Sequence, residues 1–164
     1  MMPWFSVAPV TDESVFQTAA KVVSYTMDLK ADADEVWAGL VSDRPLAWCK
    51  ALNGQYTSER PFGVGTTRTI KVRGGLEARE RFFIWDDAQR RHAFTFEQAN
   101  LPLFSVFAED YKVDPIEGGC RFTWTFAVSP SKFAALLFPL VWPLNKKLVL
   151  DGFIKDTVKH FGAL

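Results

Sequence analysis

The amino-acid sequence predicts an α+β domain in which an antiparallel sheet is followed by a long C-terminal helix. From Gln55 to Val128, apolar residues recur at every second position in runs separated by Gly, Asn and Pro, as in strands joined by short turns. After Ser129-Pro130 the apolar repeat lengthens to about 3.6 residues, the period of an α-helix. Because the strand-like runs follow one another directly, we expect them to pair as an antiparallel meander.

The length and composition indicate one domain with a substantial core. The chain has 164 residues, and no Gly/Ser-rich or Pro-rich stretch divides it. Residues 22–164 are predicted to form the domain, and residues 1–21 an N-terminal extension. Hydrophobic residues make up 48% and aromatic residues 15% of the chain, with 15 Phe and 6 Trp. This aromatic content predicts a broad, rigid apolar interior.

Charge, cysteine content and apolar stretches argue against several classes of protein. Lysine plus arginine and aspartate plus glutamate number 19 each, without long runs of one sign, so nucleic-acid binding is not expected. Cys49 and Cys120 are too few for a metal motif or a disulfide framework, and we expect no metal and no cofactor. The N-terminus lacks the pattern of a signal peptide, and the apolar stretch at residues 133–144 is too short to span a bilayer. A cytoplasmic protein without a transmembrane anchor is therefore predicted.

The first predicted elements are a strand and two short helices. Alternation of apolar and polar side chains predicts a half-buried strand over residues 22–29. Residues 31–40 carry an acidic cap before apolar residues at helical spacing, which predicts a short amphipathic helix. A second short helix is expected to begin within residues 43–48, because Pro45 suits a first helical turn, and Asn53-Gly54 is expected to end it.

Five further strands and the C-terminal helix complete the predicted fold. The strands cover residues 66–73, 76–85, 91–98, 105–114 and 120–128. One predicted face of the last helix carries five apolar residues, namely Leu144, Leu148, Ile154, Val158 and Phe161. Pro139 and Pro143 are expected to break or kink the chain before this helix, so residues 131–138 are predicted to form a separate short helix or lid.

Four motifs, taken in order, resemble those of a known superfamily. They are Ala33-Asp34-Glu35-Val36-Trp37, Gly63-Val64-Gly65-Thr66-Thr67-Arg68, Glu80 through Trp85-Asp86, and Gly118-Gly119-Cys120-Arg121-Phe122-Thr123-Trp124. In this order the chain resembles the START-like (SRPBCC) superfamily, in particular its bacterial polyketide cyclase/dehydrase and lipid-transport branch, from about Val22 to Phe161. The resemblance implies a helix-grip (START-like/Bet v 1-like) fold, in which a curved sheet of about seven strands grips the C-terminal helix around a hydrophobic cavity. It implies little about reaction, because the superfamily contains binding proteins, transporters and enzymes.

The sharpest site prediction is an inward-facing ion pair. If the turn at Arg73-Gly74-Gly75 pairs Val72 with Leu76, then Arg68 lies directly opposite Glu80 on the inner face. Burying one charge alone costs several kcal/mol, and the pairing makes both charges tolerable. The pair is predicted to hold a ligand carbonyl, hydroxyl or carboxylate, with Glu80 as a candidate acid or base. Alternatively, the two side chains only satisfy each other at the cavity mouth.

Polar residues also interrupt the aromatic inner wall of the sheet. Glu109 and Tyr111 share a face of one predicted strand, and Trp124 lies on the inner face of the next. Tyr111 is predicted to donate a hydrogen bond to a ligand oxygen, or else to bond Glu109 or backbone. Glu109 is a second candidate acid or base. Apolar contacts with a ligand are expected from aromatic residues, namely Tyr25, Phe94, Phe96, Phe107 and Trp124.

Two features of the C-terminal region leave alternatives open. Asp151 lies in the centre of the apolar stripe, with Lys147 and Lys155 four residues away on either side. Its carboxylate either faces the cavity and contacts a ligand or forms a solvated Lys-Asp-Lys ladder. Residues 133–144 are expected to cover the cavity entrance as a buried lid, with a transient membrane contact or a homodimer contact as alternatives.

Three functions remain in competition. The first is a carrier that binds a small hydrophobic molecule, such as a lipid, polyketide or isoprenoid. The second is a polyketide cyclase/aromatase-like enzyme that uses Glu80 or Glu109, although no dedicated catalytic motif is present. His92 and His160 have no partner at a recognised spacing, so no hydrolase triad is expected. The third is a protein-interaction module whose core is filled by aromatic side chains.

Overall fold

A curled antiparallel sheet wraps around one long C-terminal helix, which confirms the predicted helix-grip fold. The computed structural model describes residues Met1–Leu164. The strands are β1 (Phe5–Ser6), β2 (Lys21–Leu29), β3 (Leu52–Tyr56), β4 (Thr67–Val72), β5 (Leu76–Asp86), β6 (Arg91–Ala99), β7 (Phe104–Ile116) and β8 (Gly119–Pro130). The helices are α1 (Val15–Thr18), α2 (Ala33–Leu40), α3 (Phe138–Asn145) and α4 (Asp151–Phe161), and a π-helical segment (Lys146–Leu150) joins α3 to α4.

The strands pair as the meander that the sequence predicts. From β3 to β8 each strand pairs with its successor, and β2 pairs with β8, which gives the order β2-β8-β7-β6-β5-β4-β3. The turn between β4 and β5 places Val72 opposite Leu76. Because side chains alternate along each strand, this register brings Arg68 opposite Glu80, as predicted.

Residues 1–21, predicted to be an N-terminal extension, pack against the sheet. In β1, Phe5 lies opposite Ala99 at the end of β6, beyond the point where β6 and β7 stop pairing. Val7 is buried in the main core, whereas Val15 of α1 packs on the opposite face of the sheet, against Ala108. A two-residue strand leaves no periodic pattern, and β1 was therefore not predicted.

The predicted second short helix is absent. Residues 41–50 form bends and turns, and Leu46 has a φ of 59°, a left-handed conformation that a right-handed helix does not contain. This turn leaves the Leu46 side chain only 1% exposed, among the core residues. Asn53-Gly54, predicted to end the helix, instead lies within β3, an edge strand that the sequence analysis missed. A Cβ on Gly54 would lie 3.2 Å from the ring of Pro45, so the close approach of these two segments favours glycine.

The prolines do not interrupt the C-terminal helix. Pro139 lies in the first turn of α3, where a missing backbone N–H is tolerated, and Pro143 lies within α3 without ending it. The helix continues through the π-helical segment into α4 for 24 residues in all. Residues 132–137 form turns, so the separate helix predicted at residues 131–138 is absent.

The C-terminal helix buries a different face from the predicted one. Leu144 and Leu148 were expected in the core but are 57% and 68% exposed. Phe153 and Thr157 are buried instead, together with the predicted Phe161. The π-helical segment widens one turn of the helix, and this changes which side chains N-terminal to α4 point toward the sheet.

Candidate ligand-binding site

A cavity of about 480 Å³ lies between the inner face of the sheet and the C-terminal helix. Of the 29 residues that line it, 22 are hydrophobic. This volume falls within the range of roughly 300–1,000 Å³ in which proteins bind small molecules. The filled aromatic core expected for the third function considered from the sequence is therefore absent.

Arg68 and Glu80 form a buried ion pair on the cavity wall. Nε of Arg68 donates to Oε2 of Glu80 at 2.6 Å, and each side chain is 1% exposed. The guanidinium also lies over the ring of Phe94, 4.5 Å from its centroid. Burial lowers the pKa of Arg68, but the charge of Glu80, the hydrogen bond to it and the nearby Tyr56 and Tyr111 together hold the pKa above its ordinary value. The predicted pairing is confirmed, and it lies in the interior rather than at the mouth.

Arg68 retains hydrogen-bond donors that no protein group uses. Its Nη1 and Nη2 atoms are buried and have no hydrogen-bond partner, although Nε is bonded to Glu80. The two atoms carry four N–H groups in a planar fork. Arg68 is one of the residues that line the cavity, so an oxygen of a molecule inside it is the partner that we expect for these donors. A buried donor left unpaired costs about 1–3 kcal/mol, which an oxygen at this position would recover.

Glu109 and Tyr111 lie beside the ion pair, and we refer to Arg68, Glu80, Glu109 and Tyr111 as the polar cluster. Trp124 Nε1 donates to Oε1 of Glu109 at 2.7 Å. Burial, aided by the negative charge of Glu80, raises the pKa of Glu109 to about 8, so this carboxyl group is mostly protonated at neutral pH. The hydroxyl of Tyr111 is buried without a partner, so the expected alternative bond to Glu109 or backbone is absent.

Seven of the ten residues predicted to form the site line the cavity. They are Arg68, Glu80, Phe96, Phe107, Glu109, Tyr111 and Trp124. Phe94 instead lies beneath the guanidinium of Arg68 and does not line the cavity.

Tyr25 and Asp151 bond each other away from the cavity. The hydroxyl of Tyr25 donates to Oδ1 of Asp151 at 3.1 Å, which ties β2 to the start of α4. Neither residue lines the cavity. The lining of this cavity therefore does not support the ligand contact predicted for each, and Asp151 forms no ion pair with Lys147 or Lys155. The Asp151 carboxylate points toward β2 because α4 buries the face of Phe153 and Thr157 and not the apolar face predicted from the sequence.

His92 lies in an aromatic cage behind the cavity wall. Its ring centroid is 4.8 Å from those of Trp37, Phe82 and Trp85. Both ring nitrogens are buried without partners. Burial, with the positive charge of Arg68, lowers the pKa of His92 well below its ordinary value and keeps the ring neutral. The sequence analysis assigned His92 no role, and its geometry gives it none beyond packing.

The sequence analysis missed the helical side of the cavity. Trp142, Asn145, Val149 and Phe153 line it from the C-terminal helix. The ring of Phe153 stacks on Trp124 with centroids 5.8 Å apart. A spacing of four residues links Asn145, Val149 and Phe153, but the predicted stripe followed the leucines one position away.

Residues 133–144 lie at the cavity entrance without being buried. Six large apolar side chains there, which we name the mouth face, are exposed: Phe133 (84%), Leu136 (87%), Leu137 (57%), Leu140 (75%), Val141 (51%) and Leu144 (57%). Phe133, Leu137 and Val141 also line the cavity. The buried lid predicted from the sequence is therefore wrong, because most of this apolar surface faces outward. No helix in the chain is both long enough and apolar enough to cross a membrane.

The sequence matches one protein-family model and several bacterial relatives. Residues 20–159 match the family model described as polyketide cyclase / dehydrase and lipid transport. Uncharacterised proteins of Mycobacterium tuberculosis and Mycobacterium bovis are 36% identical over 157 residues, which covers 92% of this chain and 92% of each relative.

Solved structures share the fold at low sequence identity. A START superfamily protein from Mycobacterium smegmatis has a TM-score of 0.68 at 14% identity, covering 85% of this chain and 96% of that one. The Zhui aromatase/cyclase from Streptomyces sp. R1128 has a TM-score of 0.64 at 16% identity, covering 88% and 99%. Norcoclaurine synthase from Thalictrum flavum has a TM-score of 0.60 at 18% identity, covering 85% and 84%. These similarities show the fold alone.

Proposed function

Because the chain belongs to the polyketide cyclase/dehydrase and lipid-transport family, we propose that it binds and carries a small hydrophobic molecule with one buried oxygen-bearing end. The observation that carries the proposal is the pair of unpartnered, buried Nη atoms of Arg68 on the wall of an apolar cavity. An apolar ligand body would be held by the hydrophobic wall, and its polar end would be oriented by the polar cluster.

The charges of the polar cluster favour a neutral ligand oxygen. Glu80 already neutralises Arg68, and Glu109 is mostly protonated at neutral pH because its pKa is raised to about 8. A ligand carboxylate would therefore add an unbalanced negative charge to a dry site, which is unfavourable. A ketone, ester or hydroxyl oxygen accepts hydrogen bonds from Arg68 or Tyr111 without that penalty. The expected ligand is thus an apolar molecule ending in a carbonyl or hydroxyl group.

The test begins with native mass spectrometry of the purified protein and organic extraction of any bound molecule. A second arm measures two uncharged fluorescent probes, N-phenyl-1-naphthylamine, which lacks oxygen, and a naphthyl ketone of similar size. The variant Arg68→Met with Glu80→Leu replaces both partners by apolar side chains and leaves no buried charge. The exposed pair Arg121 and Asp28 on the opposite face supplies the matched control, Arg121→Met with Asp28→Leu.

We expect Arg68→Met with Glu80→Leu to bind the oxygen-free probe as the wild type does. Its affinity for the ketone should fall roughly 10–100-fold, which is the usual effect of losing a hydrogen bond from a charged donor. The control variant should bind both probes as the wild type does. Failure of the wild-type protein to bind either probe, together with an empty extract, would refute carriage.

A second candidate function is supported by Glu109. A buried carboxyl group with a pKa of about 8, beside the donors of Arg68 and Tyr111, is suited to protonate a ligand carbonyl. The similarity to an aromatase/cyclase makes cyclisation of a poly-β-ketone chain, with loss of water, the reaction to test. Glu80 is the weaker candidate because its carboxylate is held by Arg68.

Mass spectrometry of a linear poly-β-ketone incubated with the protein separates the two functions. An enzyme would release a product lighter by one water, and Glu109→Gln would bind the substrate but form no product. Unchanged substrate with the wild-type protein, in the presence of measurable binding, leaves carriage as the function.

A further inference from the structure

We infer that the mouth face contacts the surface of an anionic phospholipid bilayer, so that the cavity entrance faces the membrane. The contact itself is independent of the ligand. Its use in loading or unloading the cavity rests on the function proposed above.

The first argument is the size and exposure of the apolar surface. Leu136 is 87%, Phe133 84% and Leu140 75% exposed, and no residue of α3 is buried. Single exposed apolar side chains are ordinary on protein surfaces, but a contiguous group of large ones marks an interaction site. Residues 133–144 are too few to span a bilayer, and an exposed apolar segment of this length fits the interface between headgroups and acyl chains.

The second argument is charge complementarity. Between Gly118 and Leu150 the chain contains no aspartate or glutamate, although the whole protein has equal numbers of acidic and basic residues. Lys132 and Lys147 flank the mouth face and are exposed. Lysines beside an apolar surface attract anionic headgroups, as in polybasic segments that bind the membrane surface.

The same charges disfavour a second copy of this chain as the occupant. In a two-fold dimer the same patch of both copies meets, so Lys132 and Lys147 of one copy would face the lysines of the other around the apolar surface. Like charges in such a rim oppose association. A surface of negatively charged lipid has the opposite sign.

The third argument is that the mouth face is continuous with the cavity. Phe133, Leu137 and Val141 each line the cavity while being more than half exposed. A bilayer that covers these side chains would also cover the entrance, so an apolar molecule could pass between lipid and cavity without crossing water. Leu101 and Leu103, each 39% exposed, extend the apolar rim from the loop between β6 and β7.

The test is co-flotation with vesicles containing equal parts of phosphatidylglycerol and phosphatidylcholine, compared with vesicles of phosphatidylcholine alone. Leu136→Ser with Leu140→Ser removes exposed side chains that do not line the cavity. The matched control is Val64→Ser with Leu164→Ser, two exposed apolar residues away from the mouth face. We expect the first variant to bind anionic vesicles at least about tenfold more weakly than the wild type, and the control to bind as the wild type does.

A charge-reversal pair tests the electrostatic argument. Lys132→Glu with Lys147→Glu should abolish the preference for phosphatidylglycerol, whereas Lys155→Glu with Lys159→Glu, on the exposed side of α4, should retain it. Raising the salt from about 0.1 M to about 1 M should weaken binding of the wild type toward that of the reversed variant.

Equal vesicle binding by the wild type and the leucine variant, or no binding by the wild type, would overturn the inference. So would a dimer, detected by light scattering, that the leucine variant abolishes, because the occupant would then be a second copy. Binding of N-phenyl-1-naphthylamine in solution separates this inference from the proposed function. A leucine variant that binds the probe but no longer binds the vesicles supports membrane docking. A wild type that binds the vesicles but not the probe refutes the proposed carriage and leaves the membrane contact standing.

Discussion

Removing one partner of the ion pair between Arg68 and Glu80 should destabilise the fold far more than removing both. In Arg68→Met, the Glu80 carboxylate is left 1% exposed without its 2.6 Å partner. Breaking a buried pair in this way costs about 3–5 kcal/mol, whereas replacing both partners by apolar groups is neutral or stabilising by about 1–4 kcal/mol. A domain of this size has a free energy of unfolding of about 5–15 kcal/mol, so the single variant should lose a large part of it.

Urea unfolding followed by tryptophan fluorescence measures the difference. With a slope of about 2 kcal/mol per M, the midpoint of Arg68→Met should fall by about 2 M, and that of Arg68→Met with Glu80→Leu should stay near or above the wild type. The single variant should also recover stability at low pH. Burial raises the pKa of the unpaired Glu80 in the folded state, so stability rises as the pH falls through that folded pKa and is fully present below the unfolded pKa. A single variant as stable as the wild type at neutral pH would refute the burial argument.

Three further predictions follow from buried contacts. Because burial raises the pKa of Glu109 to about 8 in the folded state, its contribution to the free energy of unfolding is present at acid pH and falls as pH rises from about 5 to about 8. Glu109→Gln should remove this slope in urea titrations. Since Trp124 is bonded to Glu109, we also expect the tryptophan fluorescence of the wild type to change over this pH range and that of the variant to stay constant. Gly119→Ala places a Cβ 1.9 Å from the Leu29 carbonyl oxygen and should destabilise the protein by about 1–3 kcal/mol in the same assay, whereas an unchanged midpoint would contradict the packing. Tyr25→Phe removes a hydrogen bond to α4 and should cost about 0.5–1.5 kcal/mol without changing probe affinity, since Tyr25 does not line the cavity.

Features set by neighbouring residues in the chain were predictable. The pairing of Arg68 with Glu80 followed from the short turn between β4 and β5, because a hairpin turn determines the register of its two strands. The inward position of Glu109 and Tyr111 followed from the two-residue alternation of side chains in β7. In both cases the pattern extends over fewer than about fifteen residues, so little depends on distant parts of the chain.

Features that depend on contacts between distant segments were not predictable. β1 exists because β7 leaves β6 near Thr95, which opens a place for Phe5–Ser6 beside Ala99. Leu46 adopts a left-handed conformation where a helix was expected, and its side chain then enters the core. Neither outcome leaves a periodic signal, because each is decided by the space that other elements provide.

Periodicity, turn residues and motif order were enough to predict six of the eight strands in their order along the chain, the inward ion pair and the family. The face of the C-terminal helix that closes the cavity depends instead on packing between distant parts of the chain. The π-helical segment Lys146–Leu150 places Asn145 and Val149 on the cavity and leaves Leu144 and Leu148 outside. An ideal helical repeat carries no information about one widened turn, because that turn is selected by packing against a sheet whose strands come from elsewhere in the chain.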